Sequence, residues 1–586
     1  MPVLISFLLA LYCLRPVWWR PDAVLIGGWA HPDTLSNHWL LAWVAERLSR
    51  GQGILHNDDY YWPVGDAPVL AGNGGEGVAY LPFHLMLGWP TAVAPYAVMI
   101  LTLNGVAGAA LARSVGASAP ASWLAAAATV CFPYTLQELS AGRFSQVSIC
   151  WGMFALAAFF RLLEEPSRRQ AALCGVMLAL AGFFYWYYAF FACLAIGVIL
   201  LGRWRDIPWR AVAGALGFSA ILIAPWLVLF LANFTAIPGA AEAFPSPHAA
   251  MKSAPLTPRL LVGPGPDAHH TMSAVPWLLG LAGLVFVRRR WQARALVGIA
   301  ALFAVLSLGP AGGLYTALYG LAEPLQRFWW PLRHVVLLNA AWAALAALAL
   351  TALLARVPAR WRPVVGLLAV LAVPVGLAAQ GIEANPKYTA ISLPPPAYPA
   401  LADDPGHVLI EPPLLPALAS TQQTLIYQRY HRQRLLGGHA LWVERLRPPA
   451  WDDAAAANSF LAALQQLERG EAGEQFTFSA DDLQVLLDAD VRYLSINREL
   501  FPLNFKTLVR RYRDIADALF GAPVQRAAGL WIWDLRQWSG ESTVAIAPWS
   551  WPAGVRPGGP EIAISGRRPA SVSFGEVEPA SGLMPP

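Results

Sequence analysis

The chain has 586 residues, of which 56% are hydrophobic and only 13% charged, with a mean hydropathy of +0.45 and 26 tryptophans. That composition excludes a soluble protein of this length and points to a polytopic membrane protein. The formal net charge of +5 is small and is concentrated in loops on one side of the apolar segments, so it reports orientation, and no nucleic-acid-binding motif accompanies it. Cys13, Cys131, Cys150, Cys174 and Cys193 lie in or at the ends of apolar segments without paired spacing, which indicates neither a disulfide framework nor a zinc site.

Residues 1–14 form an apolar run with no basic residue ahead of it and no small-residue cleavage site. It reads as a first transmembrane helix rather than a cleaved signal. Next comes the stretch Trp29 to Gly53, in which Asp33 follows Pro32 at the point where a helix should begin. Leu35, Trp39, Leu40, Trp43, Val44 and Leu48 recur at three- and four-residue steps, while Ser36, Asn37, Glu46 and Arg47 fall off that face. Two tryptophans on the apolar face predict a helix lying flat in the headgroup region, with Asp33 at the membrane surface. Asp33 suits a helix cap, a catalytic carboxylate, or both. A loop rich in Gly, Pro and acids then runs from Asn57 to His84.

Apolar segments follow at 94–112, 118–133, 147–163, 171–185, 187–202, 211–232, 274–287, 295–309, 334–355 and 363–380. With the first, they predict about eleven spans. The run 171–202 is long for one helix and tight for two. Arg168 and Arg169 precede it and Arg203, Arg205 and Arg210 follow it, so both ends belong on the cytoplasmic side and the run is a hairpin turning near Tyr185, Trp186, Tyr187 and Tyr188. Arg113, Arg161, the triplet Arg288 to Arg290, Arg294, Arg356, Arg360 and Arg362 mark the same side. Arg15 and Arg20 oppose that bias and are outweighed. The long connections, the turn 134–146 and everything after Gln380 are thereby placed outside.

Beyond the transmembrane region, residues 1–382, charge rises and long apolar runs end, after a Pro-rich linker through ISLPPPAYP. Residues 383–586 are predicted to form an extracytoplasmic α/β domain. Strands are expected at HVLIEPP (407–413), VRYLSIN (491–497) and the run from Gly529 to Asp534, and helices from Ser459, Ser479 and Lys506. The domain shows no phosphate loop, nucleophile elbow or metal-ligand pair. The last fifty or so residues, rich in Pro and Gly, support no element assignment.

The acids of the outer loops carry the chemistry that can be read. Transfer of a group to a hydroxyl needs a carboxylate to take the acceptor proton, and a site at the interface admits a lipid-borne donor whose chain stays in the membrane. Asp33 has that position, and Glu138, Asp66 and Glu76 could converge on it. Arg327, Arg333 and His334 stand beside Trp329 and Trp330 at the outer mouth of a span, where a guanidinium fork can hold a phosphate, and Arg143 lies in the Glu138 turn. Snorkelling interface anchors would have the same composition. His31 and His38 flank Asp33, but nothing fixes a third ligand, so no cofactor is expected, with a divalent metal beside Asp33 as the alternative.

Several motifs together resemble the bacterial polytopic membrane proteins related to the GT-C glycosyltransferases. These are Asp33 with Asn37, Trp39 and Trp43; Tyr61 to Gly65 (YWPVG); Glu76 before Leu81-Pro82; Asn104; and Phe132 to Tyr134 (FPY). To them are added Gly142 with Gln146, Arg327-Pro331-Arg333, and the C-terminal HVLIEPP, LGGH and VRYLSIN. The resemblance implies transfer of a sugar from a polyprenyl-phosphate donor to a hydroxyl of a glycan, lipid or protein acceptor at the outer face of the bacterial cytoplasmic membrane. It implies Asp33 as base and Glu138 as second acid. Many such proteins carry an acidic pair in the first loop, whereas Asp33 stands alone. A lipid or solute transporter and a non-catalytic assembly factor for envelope polysaccharide are the alternatives. Against a transporter, charges sit at span ends and no repeat of the spans is visible.

Overall fold

The computed structural model describes residues 1–28, 33–65, 74–236, 272–286, 290–321, 325, 330–391, 397–415, 423–437, 448–501, 505–527 and 529–546. The chain divides into two compact units, Met1–Asn57 with Asp66–Ser392, and Asp58–Gly65 with Leu393–Pro586.

In the first unit a helix occupies each apolar segment of the sequence: Pro2–Cys13, Val93–Ser114, Ala119–Val130, Cys150–Glu164, Arg168–Phe184, Trp186–Arg203, Trp209–Ala236, Ala274–Phe286, Trp291–Ser307, Val335–Leu354 and Arg362–Ala379. Among the described residues six helices are long and apolar enough to cross a bilayer, and three shorter ones are apolar. This is a multi-pass membrane protein. The segment Pro331–Leu354 is central, with 83% of its apolar window buried, whereas Trp209–Ala232 is peripheral at 11% and presents Ile221, Leu222 and Val228 outward. Small residues let the central helices close on each other. A Cβ on Gly108 would lie 2.3 Å from Thr129 Oγ1, and one on Gly280 would lie 2.1 Å from the Trp342 indole nitrogen.

The hairpin in 171–202 breaks at Tyr185, whose extended backbone (φ −161°, ψ 110°) separates Arg168–Phe184 from Trp186–Arg203. Its aromatics do not face an interface, since Tyr185, Tyr187 and Tyr188 are buried.

Two further expectations are corrected. The helix Asp33–Ser49 is packed within protein: Trp39 and Trp43 are 3% and 4% exposed, with their rings stacked at 5.7 Å. The partner is a helix, Gly74–Leu87, that begins inside the stretch read as loop. Glycine is a poor helix former, but here its missing Cβ is used. A Cβ on Gly77 would lie 2.0 Å from Val44 Cγ1, and one on Gly75 would lie 2.8 Å from the Phe183 carbonyl oxygen.

The first unit also retains the chain past residue 382. Strand β1 (Val24–Ile26) pairs antiparallel with β2 (Tyr388–Ala390), in register Val24 to Ala390, Leu25 to Thr389 and Ile26 to Tyr388. The compact unit therefore ends at Ser392, ten residues beyond the composition shift.

The second unit has a five-stranded sheet ordered β4-β3-β6-β8-β7, from β3 (Val408–Ile410), β4 (Arg434–Leu435), β6 (Val491–Asn497), β7 (Gln525–Ala527) and β8 (Leu530–Asp534). Strands β5 (Gln475–Thr477) and β9 (Thr543–Ala545) form a separate antiparallel pair. β3 is parallel to β4 and β6, and β8 is antiparallel to β6 and β7. Helices Ser459–Arg469, Ala480–Asp488 and Lys506–Phe520 accompany the sheet. The YWPVG segment belongs here: Tyr61 N donates to Gly437 O at 3.1 Å and Trp62 N to Leu435 O at 3.2 Å.

A buried carboxyl follows β3. Glu411 is 3% exposed and accepts from Tyr398 and, at 2.9 Å, from Ser495 Oγ. Burial pushes its pKa up to about 7, against the opposing pull of these hydrogen bonds. The folded state therefore keeps this proton longer than the unfolded chain does. Its advantage is present below the ordinary value of 4.5 and is lost as pH climbs to about 7, a swing of about 3 kcal/mol. Hydrogen exchange in β3 and β6, corrected for intrinsic rates, is expected to be faster at pH 8 than at pH 5, and Glu411→Gln should flatten the difference. Equal protection at both pH values in the wild type would contradict the assignment.

Candidate active site

The first-loop acid and the second outer turn are brought together by backbone contacts. After helix Pro133–Ser140 the chain turns through Ala141 and Gly142 to Arg143, which precedes the short helix Phe144–Val147. Gly142 has φ +69°, and a Cβ there would lie 2.8 Å from Thr34 Cα. Only glycine permits both that dihedral and that approach. The turn is thus pressed against the residue that follows Asp33.

The result is a bridge of three charges. Arg143 Nε donates to Asp33 Oδ2 at 2.6 Å and its Nη1 to Glu138 Oε2 at 2.8 Å. The side chains of Arg143, Asp33 and Glu138 are 20%, 9% and 8% exposed. Asp33 opens its helix, and its carbonyl accepts from Asn37 Nδ2 at 2.7 Å.

A layer of backbone hydrogen bonds fixes this arrangement from behind. Gly28 N donates to Ser140 O and Gly27 N to Lys387 O, each at 2.8 Å, and Lys387 N donates to Ser140 Oγ at 2.8 Å. Thr34 Oγ1 donates to Gly28 O at 3.0 Å. The β1–β2 pair, the Asp33 helix and the Arg143 turn are consequently tied to one another. Nothing in the sequence advertised the part played by Lys387 to Ala390.

Arg333 lies in the turn Pro331–His334 that leads into Val335–Leu354. Its guanidinium carbon stands 4.6 Å from the Tyr187 ring centre, 5.5 Å from Trp330 and 5.6 Å from Tyr185. Two carboxylates are thus joined through one guanidinium, that of Arg143, while Arg333 stands among Tyr185, Tyr187 and Trp330, and Tyr188 donates to the Gln146 carbonyl. Sequence reasoning assigned the tyrosines of 185–188 to a membrane interface. The available signal was their position at the break of a hairpin whose two ends lie on one side.

His334 does not join this group. It is 1% exposed, and its ring lies 4.3 Å from Phe191 and 5.9 Å from both Phe303 and Tyr315. Its Nδ1 is bonded to Pro331 O at 2.8 Å. Glu76 is buried in the first turn of the helix Gly74–Leu87 and is not a member of the ion-pair bridge. Asp66, Arg327 and His31 lie outside the described residues. His38 is fully buried and bonded through Nε2 to Ile26 O. Among the described residues no group of three His, Cys, Asp or Glu side chains is placed to share a metal ion.

Comparison with solved structures shows a known overall architecture. The chain superposes on two structures of a mutant arabinofuranosyltransferase AftD from Mycobacteria, with TM-scores of 0.53 and 0.51 and sequence identities of 18% and 19%. Each match covers 91% of this chain and 41% of AftD. The chain thus shares the fold of that arabinofuranosyltransferase over most of its own length. The apo oligosaccharyltransferase of Archaeoglobus fulgidus matches with a TM-score of 0.49 and 12% identity over 87% of this chain and 70% of that one. No protein-family model and no curated protein matches the sequence.

Proposed function

We propose that this protein is an inverting GT-C glycosyltransferase that moves a sugar from a polyprenyl-phosphate donor to an acceptor hydroxyl at the outer face of the bacterial cytoplasmic membrane. The observation that carries the reading is the pairing of Asp33 and Glu138 across Arg143, with both carboxylates largely buried. A sugar-transferring neighbour of the same fold supports it. Asp33 is the base. The acceptor oxygen attacks the anomeric carbon as its proton passes to the Asp33 carboxylate, and the bond from that carbon to the phosphate oxygen breaks with its electron pair leaving on polyprenyl phosphate. Charge grows on the phosphate during this step, and the planar fork of Arg333 matches it. Arg143 holds both acids in place, and Glu138 shares the burden of that cation. The acceptor class is a glycan, lipid or protein hydroxyl.

The test is release of polyprenyl phosphate from a panel of polyprenyl-phosphate sugars by the purified chain in lipid nanodiscs. Release is expected to require an acceptor and to be lost in Asp33→Asn. Movement of intact donor across the bilayer without release would favour the transporter instead.

The same proposal places about eleven spans in the membrane, the N-terminus inside and residues beyond Gln380 outside. A reporter fused after Gln380 should be active only in its extracytoplasmic form. Cytoplasmic activity alone would put the site on the wrong face for an outer-leaflet donor.

A further inference from the structure

The Arg143 turn leads into a break in the chain that a single side chain spans. The short helix Phe144–Val147 ends, and Cys150–Glu164 begins, across Ser148 and Ile149. Ser148 has φ −74° and ψ 54°, and Ile149 N donates to Val147 O at 2.7 Å, which makes the break a tight γ-turn. Asn104, fully buried on the helix Val93–Ser114, takes both sides of it. Its Nδ2 donates to Val147 O at 2.7 Å and its Oδ1 accepts from Cys150 N at 3.0 Å. The Cys150 N–H lies in the first turn of its helix, where the helix itself supplies no acceptor.

This clamp connects directly to the ion-pair bridge. Val147 N donates to Arg143 O at 3.3 Å and Gln146 N to the same oxygen at 3.1 Å, while Arg143 N donates to Glu138 O at 2.9 Å. Arg143 is thus held on its C-terminal side by a segment that Asn104 anchors. The anchor is itself fixed: a Cβ on the neighbouring Gly105 would lie 2.3 Å from Ser6 Oγ and 2.6 Å from Val130 Cγ2, so this helix is in close contact with two others.

We propose that Asn104 is a positioning residue that sets the Arg143 turn where one guanidinium meets both Asp33 and Glu138. The proposal rests on the transferase reading above. Asn104→Leu nearly keeps the size of the side chain and leaves the Cys150 N–H without its acceptor. A resulting displacement of the turn by about 1 Å should lower kcat roughly a hundred-fold. Donor KM should change little, because Arg333 is carried by a different turn, Pro331–His334. Asn104→Asp keeps the acceptor for Cys150 N–H and gives up only the donor to Val147 O, whose bond from Ile149 remains, so it should recover part of the loss.

The test compares kcat and KM for polyprenyl phosphate release, on monodisperse protein in lipid nanodiscs, in wild-type and Arg143→Lys backgrounds. If Asn104 acts through the Arg143 fork, Asn104→Leu should cost far less in Arg143→Lys, where the fork is already gone. Where Asn104→Leu does not fold, Asn104→Asp carries the same comparison. An equal factor in both backgrounds would show a general packing role and overturn the proposal, as would a wild-type kcat in Asn104→Leu with Asp33→Asn still impaired. A wild type that releases no polyprenyl phosphate from any donor would overturn the transferase reading, and this proposal with it.

Discussion

Asp33→Asn is expected to lower donor turnover by roughly two to four orders of magnitude while the protein still folds and inserts. Asparagine caps a helix about as well as aspartate, and its amide oxygen can still accept from Arg143 Nε, which now meets Asp33 at 2.6 Å. Glu138 also continues to hold Arg143. The substitution therefore leaves the shape of the bridge and removes the group able to take a proton. Thermal stability should fall far less than activity does. The measurement is polyprenyl phosphate release at matched expression. A wild-type rate in Asp33→Asn would reduce Asp33 to a structural cap and make Glu138 the next residue to test.

The helical scaffold was legible because apolar runs of bilayer length have few other uses. The arginines that bracket 168–210 located the hairpin, and the break falls at Tyr185. Local pattern could not say what an apolar face meets. Trp39 and Trp43 suit a headgroup region or a protein neighbour equally, and the decision came from Gly75 and Gly77, glycines that read as loop until their contacts with Phe183 and Val44 are seen. The site was legible in part. Asp33, Glu138, Arg143 and Arg333 stood out as charges in an apolar chain. The Asp33–Arg143 pair, 110 residues apart, has no local signature, and neither has the three-residue strand at Tyr388–Ala390 that helps hold it. His334 was misread because a residue adjacent to Arg333 in sequence points elsewhere: a short 3₁₀ turn sends it into the Phe191 and Phe303 core.

Arg143→Ala is expected to be the most destabilising single change in the site. Asp33 and Glu138 are each more than nine-tenths buried as side chains, and taking away their shared cation removes the arginine that bridges two carboxylates of like sign. Breaking a buried pair from one side costs about 3–5 kcal/mol, and here one arginine serves two partners. A lower thermal midpoint in detergent should be accompanied by loss of turnover. Arg143→Lys keeps the charge but has one ammonium in place of a fork that reaches Asp33 through Nε and Glu138 through Nη1, so it should recover part of the stability and little of the activity. The decisive comparison adds Asp33→Asn and Glu138→Gln to Arg143→Ala. If unbridged charge is the cause, neutralising both acids should restore much of the lost midpoint without restoring turnover. A triple variant as unstable as Arg143→Ala would mean that the arginine acts through packing against the Gly142 turn, and that the bridge between the two acids is not what holds the site together.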